Sequence, residues 1–459
     1  MLQTLFQIPI YLFQWPWLAL WILPLVLVAL WELRRNSISE VLTTWGVPIV
    51  FLILFSYFAL PQVADMGIDP ADPTQAIPQG LAVRGYGLMM LLGITAGVLL
   101  AVYRGKPEGL SFEDVISLTI VLAIAGLIGA RLFFVIQYRD RFADLPLGPR
   151  LIEMVNLAKG GLVVYGAFIG ASLAMIYWCR VKNYRLGKIA DLVAPSFLVG
   201  LSLGRIGCLL NGCCFGGFCD IPQVAMEFPV GSPPYERQIE EGSILGLESV
   251  KASKEDQEKQ NLAVFAQAKL KYDFQPWRQV TKVSPNSAAE MLGVQVGDII
   301  YLQPNSIGPP GVTFEKVLRF GKRNSADLPA PLTLHSNRQA STVVDWALLP
   351  DQSRAIHPTQ IYSSVMAAIL AVVVLLSYRY RRFDGQSFLL MAMLYSIIRF
   401  LLELVRVDEE GQFGTPFSIS QLVAMALFVL AALLMGYAFY TKAAKLPVGK
   451  LRAEAPEIA

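Results

Sequence analysis

Long apolar runs alternate with short polar breaks over most of this chain. Nine runs are long enough, or nearly so, to cross a bilayer, which takes about 20 helical residues. They lie near residues 9–32, 41–61, 86–103, 115–137, 160–179, 189–212, 361–378, 387–405 and 418–440. One long break differs in kind. Within residues 218–356 the stretch "GLESVKASKEDQEKQNLAVFAQAKLKYD" is polar and charged, and the stretch after it alternates apolar and polar positions as short strands do. The pattern predicts an all-α polytopic membrane bundle of about nine transmembrane helices, interrupted by a β-rich insertion.

Composition agrees. Apolar residues make up 54% of the 459 and charged residues 16%, against about 25% charged in an ordinary soluble domain. The net charge of +3 is too small to point to nucleic acid. Its distribution says more. Alternate breaks hold Arg34 and Arg35; Arg104 and Lys106; Arg180, Lys182, Arg185 and Lys188; Arg379, Arg381 and Arg382; and Lys442, Lys445, Lys450 and Arg452. The positive-inside rule assigns these to the cytoplasm. The N-terminus and segment 213–360 are then expected outside and the C-terminus inside, although arginines around 139–150 break the pattern. The first run lacks a charged leader and a clear small-residue cleavage site, and reads as a retained helix. A bacterial inner membrane is the expected home.

Five regions follow. Residues 1–79 hold two extra N-terminal spans and an outer loop. Residues 80–217 and 357–442 form the membrane core in two parts, 218–356 the periplasmic insertion, and 443–459 a cytoplasmic tail. Within the insertion, "VSPNSAAEMLGVQVGDIIYLQPNSI" (283–307) resembles a PDZ domain through Pro285, Ser287, Ala288, Ala289, Gly293, Gly297, Asp298 and Ile300. Ser287 suits a helix cap, Gly293 a helix stop, and Gly297-Asp298 a turn into "IIYL". The resemblance covers about 262–350, with "PLTLHS" and "STVVDWALL" as closing strands. It implies a peptide partner, but the carboxylate-binding loop of that mode is not evident. A ligand-free spacer is the alternative.

Ionisable residues inside spans are costly and usually mark a site. Arg131, Arg205, Arg399 and Glu403 stand in such runs. Tyr395, Arg399, Glu403 and Arg406 are spaced by four, four and three, which puts them on one helix face with Arg399 and Glu403 able to pair. Arg406, at a helix end, reads as a snorkelling cation. Guanidinium is permanently charged and pairs bidentately with phosphate oxygens. Two of them near the outer leaflet point to a phospholipid headgroup.

The strings then line up with a family. "RGYGLMMLLG" with Tyr86, "GARLFF" with Arg131, "GGLVVYGAFIG" with Gly160, Gly161, Gly166 and Gly170, and "IADLVAP" with Asp191 and Pro195 come first. "GRIGCLLNGCCFG" with Gly204, Arg205, Gly207, Asn211 and Gly216 follows. "HPTQIY" with His357, Gln360 and Tyr362, "YSIIRFLLELVR" with Tyr395, Arg399 and Glu403, and "SISQL" close the series. In this order they resemble the prolipoprotein diacylglyceryl transferase family, over roughly 80–217 and 355–440. The resemblance implies transfer of the diacylglyceryl group of phosphatidylglycerol to the lipobox cysteine of a prolipoprotein, with release of glycerol phosphate and no cofactor or metal. It implies catalytic roles at Arg205, Arg399, Tyr165 and Glu403. It implies substrate-binding roles at Arg205, Tyr86, Arg131, Gly204, Gly207, Asn211, Gly216, His357, Gln360, Tyr362 and Tyr395.

Four positions depart from the family pattern. Cys208 stands where many members have Asn, Cys213 follows Asn211-Gly212 where many have Glu, Tyr165 replaces a His of some members, and Ser363 follows "HPTQIY" where Glu is usual. The general base is therefore unassigned. A non-catalytic envelope protein that kept the fold, binds phospholipid or precursor, and uses its insertion for assembly is the competing reading. Cys208, Cys213, Cys214 and Cys219 cluster in sequence, where disulfides or packing are expected in an oxidising compartment. A covalent relay through one thiol is the alternative, and the spacing does not match a structural zinc motif. Cys179 and His335 read as structural, and His357 as a hydrogen-bonding or capping group.

Overall fold

Apolar periodicity becomes seven helices that are long and apolar enough to cross a membrane, counted among the described residues. They are α1 (Gly85–Gly105), α2 (Phe112–Gln137), α3 (Val164–Val181), α4 (Leu186–Asn211), α5 (Thr359–Ser377), α6 (Gln386–Glu403) and α7 (Ile419–Tyr440). The computed structural model describes residues 4–8, 23, 26–28, 65–68, 76–143, 146–156, 160–253, 255–257, 277–304, 318, 332–338, 341–406 and 415–441. The two N-terminal runs, 9–32 and 41–61, fall outside these apart from helical residues at 23 and 26–28.

Helix ends follow local chemistry. Ser111 accepts the Asp114 N–H at 3.0 Å and starts α2. Ser418 and Gln421 form a reciprocal capping box that starts α7. Helix α3 begins at Val164, later than the apolar run at 160, because Gly160 and Gly161 take φ of +78° and +80°. That left-handed backbone suits glycine and cannot begin a right-handed helix.

The chain divides into two compact units. One comprises residues 89–206 and 359–459 and holds most of the membrane helices. Helices α2 and α3 approach through small residues: a Cβ at Gly129 would run into the Gly166 carbonyl, and one at Gly170 into the Ala125 carbonyl. Small residues allow such contact in lipid, where no hydrophobic force drives helices together. Helices α4 and α5 exchange hydroxyl bonds, from Ser202 Oγ to the Ser364 carbonyl (3.0 Å) and from Ser364 Oγ to the Ser202 carbonyl (2.9 Å).

A polar cluster gathers one end of α1, α4, α5 and α6. Asp191 is fully buried and accepts N–H bonds from Gly385 and Phe388, each 2.8 Å, at the start of α6. Arg381 lies 3.4 Å from Glu108 and stacks over Tyr378 at 3.6 Å. Lys188 reaches Glu108 at 3.9 Å. Three of the basic breaks thus meet here, which explains why a charged residue, Asp191, is retained inside "IADLVAP": it holds two otherwise orphaned helix N–H groups.

The second unit comprises residues 1–88 and 207–358. Strands β1 (Thr4–Ile8), β2 (Asp65–Ile68) and β3 (Ala76–Arg84) form an antiparallel sheet in the order β1-β3-β2. No strand was expected at 76–84, because Pro78 and Gly80 both disfavour strand interiors. A second antiparallel sheet runs β4 (Leu247–Lys251), β5 (Arg278–Val283), β6 (Ile299–Pro304), β7 (Leu332–Ser336) and β8 (Thr342–Val344) in that order. It begins earlier than the expected boundary near 262, since "LESVK" pairs with β5. Its core is Tyr235, Leu247, Val280, Ile300, Leu334 and Trp346 with their neighbours. Ser287 accepts the Glu290 N–H at 3.3 Å and starts the helix Ala288–Met291. Gly293 and Gly297 adopt φ of +77° and +90°. His335 lies in β7, held between Gln303 and Ser341 at 2.8 Å on each side.

Candidate active site

Arg205 stands on the last turns of α4, one turn beyond the Ser202–Ser364 contact. Arg399 stands on α6. Both line one recess with Leu201, Ser363, Tyr395 and Ile398. Tyr395, Ile398, Arg399 and Leu402 face it together because positions i, i+3, i+4 and i+7 share a helix face.

The two cations differ in their partners. Arg399 Nη1 lies 2.7 Å from Glu403 Oε2, and its Nη2 donates to Ser420 Oγ at 2.9 Å. Glu403, 6% exposed, also accepts from Ser418 Oγ at 3.3 Å and lies 3.9 Å from Arg406. Arg205 is half-buried and makes no hydrogen bond or ion pair with another described residue. A guanidinium in apolar surroundings costs free energy unless an anion meets it. This recess therefore presents one balanced cation and one unbalanced one.

Tyr165, at the start of α3, shares a 3.0 Å hydrogen bond with Ser420 Oγ. Ser420 thus joins Tyr165 to Arg399. As a motif, "SISQL" assigns no role to Ser418 or Ser420. The available signal was two hydroxyls at the start of an apolar helix. Ser363, noted only as a missing Glu, also faces the recess. A Cβ at Gly204 would lie 3.5 Å from the Met90 sulfur, an ordinary contact, so packing does not demand glycine there.

Arg131 has other work. It is 9% exposed and donates to four backbone carbonyls: Glu153 at 2.7 Å, Met154 at 2.8 Å, Gly160 at 2.6 Å and Gly161 at 3.0 Å. Its guanidinium ties the end of the short helix Leu147–Val155 to the start of the α3 segment. Gln360 is fully buried in the first turn of α5, and Tyr362 is half-buried beside it.

The remaining predicted residues belong to the other unit. Tyr86 is 40% exposed in the first turn of α1. Gly207 and Asn211 lie on the last turn of α4. Gly216 and His357 are joined by backbone: the Gly216 N–H donates to the His357 carbonyl and the His357 N–H to the Gly217 carbonyl, both at 2.9 Å. Cys208, Cys213 and Cys214 bring their sulfurs within 4.8 Å of one another. Cys219 is buried, 3.8 Å from the Ile221 carbonyl.

The model of the prolipoprotein diacylglyceryl transferase family matches residues 74–437. The chain belongs to that family. A phosphatidylglycerol–prolipoprotein diacylglyceryl transferase of Rhodopirellula baltica is 32% identical over 95% of this chain and 88% of its own length. Transferases of the same name match shorter stretches. That of Clostridium tetani is 36% identical over 31% of this chain and 55% of its own length. That of Deinococcus radiodurans is 32% identical over 31% of this chain and 42% of its own length. The family match takes in every predicted site residue and also spans the insertion at 218–356.

Proposed function

We propose that this chain transfers the diacylglyceryl group of phosphatidylglycerol to the lipobox cysteine thiol of prolipoproteins. What carries the reading is the recess lined by Arg205 and Arg399, with Arg205 unbalanced by any described residue. A phosphodiester supplies one negative charge and matches the planar donors of guanidinium. The precursor thiolate attacks the glyceryl carbon. The carbon–oxygen bond to phosphate breaks, its electron pair stays on the phosphate oxygen, and glycerol phosphate leaves. Charge on that oxygen grows in the transition state, so donors already fixed around it lower the barrier.

Roles follow from partners. Arg205 binds the headgroup phosphate, and Arg399 meets the departing oxygen. Glu403 orients Arg399, and Tyr165 reaches it through Ser420. Arg131 positions the segment before α3 rather than touching lipid. Tyr395, Gln360 and Tyr362 shape the lipid site, with Gly204 leaving room beside Arg205. Tyr86, Gly207, Asn211, Gly216 and His357 are assigned substrate-binding roles, as the family resemblance implies.

In the same reading the chain has nine spans in a bacterial inner membrane. The basic end of the bundle faces the cytoplasm, and the N-terminus and insertion face the periplasm. The insertion is a PDZ-like domain that governs precursor access, with a peptide as its ligand. Expressing the intact chain in cells depleted of their own transferase tests the function. Restored growth and lipidated precursor are expected. Normal insertion with no rescue favours the non-catalytic envelope protein, for which Cys208, Cys213, Tyr165 and Ser363 are the motivating departures.

A further inference from the structure

Three thiols meet where α4 ends. Cys208 lies on its last turn. The chain then reverses at Gly212, φ +79°, whose N–H returns to the Cys208 carbonyl at 2.8 Å. The Cys213 N–H reaches the same carbonyl at 3.1 Å. Cys214 takes φ of +61°, a left-handed backbone uncommon for a residue with a side chain. Adjacent residues in extended chain point to opposite sides, whereas this turn brings both neighbouring thiols to Cys208. The three sulfurs lie within 4.8 Å of one another, each on a half-buried residue. Asn211 hydrogen-bonds Cys213 from beside the group. The following loop is fixed by the Gly216–His357 and Gly217–His357 backbone bonds and by the Cys219 N–H to the Ala355 carbonyl at 3.0 Å.

We propose that Cys208, Cys213 and Cys214 form a three-thiolate site for one thiophilic d10 cation, zinc(II) or copper(I). Metal–sulfur bonds of about 2.3 Å place three sulfurs roughly 4 Å apart in trigonal or tetrahedral geometry, so small side-chain movements close the site. The spacing C-x4-C-C lacks the two C-x2-C pairs of common zinc motifs, but the turn at Gly212 does the work those spacings do. A disulfide would use two sulfurs and strand the third, whereas a cation uses all three. Binding releases one proton from each thiol, three in all, so affinity falls as pH falls. The Asn211 hydrogen bond orients a ligand sulfur from outside the coordination shell.

The test uses full-length protein in detergent, isolated under reductant and freed of metal. Cadmium(II), zinc(II) and copper(I) are titrated separately, following sulfur-to-metal charge-transfer absorption for cadmium and copper and chelator competition for zinc. One equivalent is expected for the intact chain. Cys208→Ser, Cys213→Ser and Cys214→Ser should each weaken binding by at least the roughly 10- to 100-fold that loss of an outer-shell partner costs. Cys179→Ser and Cys219→Ser should bind like the intact chain. Alkylation mapped by mass spectrometry needs no variant: bound metal should shield Cys208, Cys213 and Cys214 together. Equal labelling of the three with and without metal overturns the proposal. So does a disulfide between any two of them in protein isolated from membranes without reductant.

Discussion

Ser420→Ala is the sharpest probe of the site, because one oxygen serves two partners. The substitution removes the 2.9 Å bond from Arg399 and the 3.0 Å bond shared with Tyr165. Arg399 keeps its 2.7 Å contact with Glu403, so the charge stays in place while one of its two fixed directions is lost. A hydrogen bond to a charged group contributes about 1.5–3 kcal/mol. A loss near 2 kcal/mol in transition-state stabilisation is roughly a 30-fold fall in kcat/KM. Labelled phosphatidylglycerol and a precursor peptide in detergent provide the assay. The fall should lie mainly in kcat, since Arg399 is assigned to the departing oxygen. Ser420→Thr, which keeps a hydroxyl, should recover most of it. Combined with Tyr165→Phe, the two losses should be less than additive, because both variants break the same link. Activity within twofold of the intact chain, or strict additivity, would refute the reasoning.

Three further outcomes are expected. Asp191→Ala strips two N–H groups at the start of α6 of their acceptor and removes a carboxylate 4.0 Å from buried Arg381; it should cost about 3–5 kcal/mol, read as a lowered unfolding midpoint in detergent. Arg131→Lys cannot span four carbonyls, so amides near Gly160 and Gly161 should exchange faster while binding at Arg205 changes little. Burial holds the His335 imidazole below its ordinary value. The unfolded chain then takes up its proton more readily, and the stability of β6 and β7 should decline as pH falls below about 6.5; exchange corrected for intrinsic rates should show this in the intact chain and not in His335→Gln.

Hydropathy made the seven described spans legible, since a bilayer allows few alternatives to an apolar helix. Helix ends were harder. The left-handed pair Gly160-Gly161 delays α3, which an apolar run cannot reveal. Charge in apolar sequence singled out Arg205, Arg399 and Glu403, and the four-residue spacing of the last two foretold their ion pair. Arg131 drew the same attention for the same reason, yet its guanidinium is consumed by carbonyls that are distant in sequence. Ser420 escaped notice because a serine at a helix start ordinarily means a cap. Pro78 and Gly80 hid β3, and the charged character of residues 246–273 hid β4. The meeting of Cys208 with Cys213 and Cys214 depends on a turn whose direction the spacing alone does not fix.

The most direct measurement is single-turnover transfer by purified Arg205→Lys and Arg205→Ala protein beside the intact chain, with phospholipid binding followed separately. Lysine keeps the charge but loses the paired donors, so it should bind lipid and transfer slowly, while alanine should do neither. Transfer by Arg205→Ala at the intact rate would mean that no guanidinium at that position meets the phosphate.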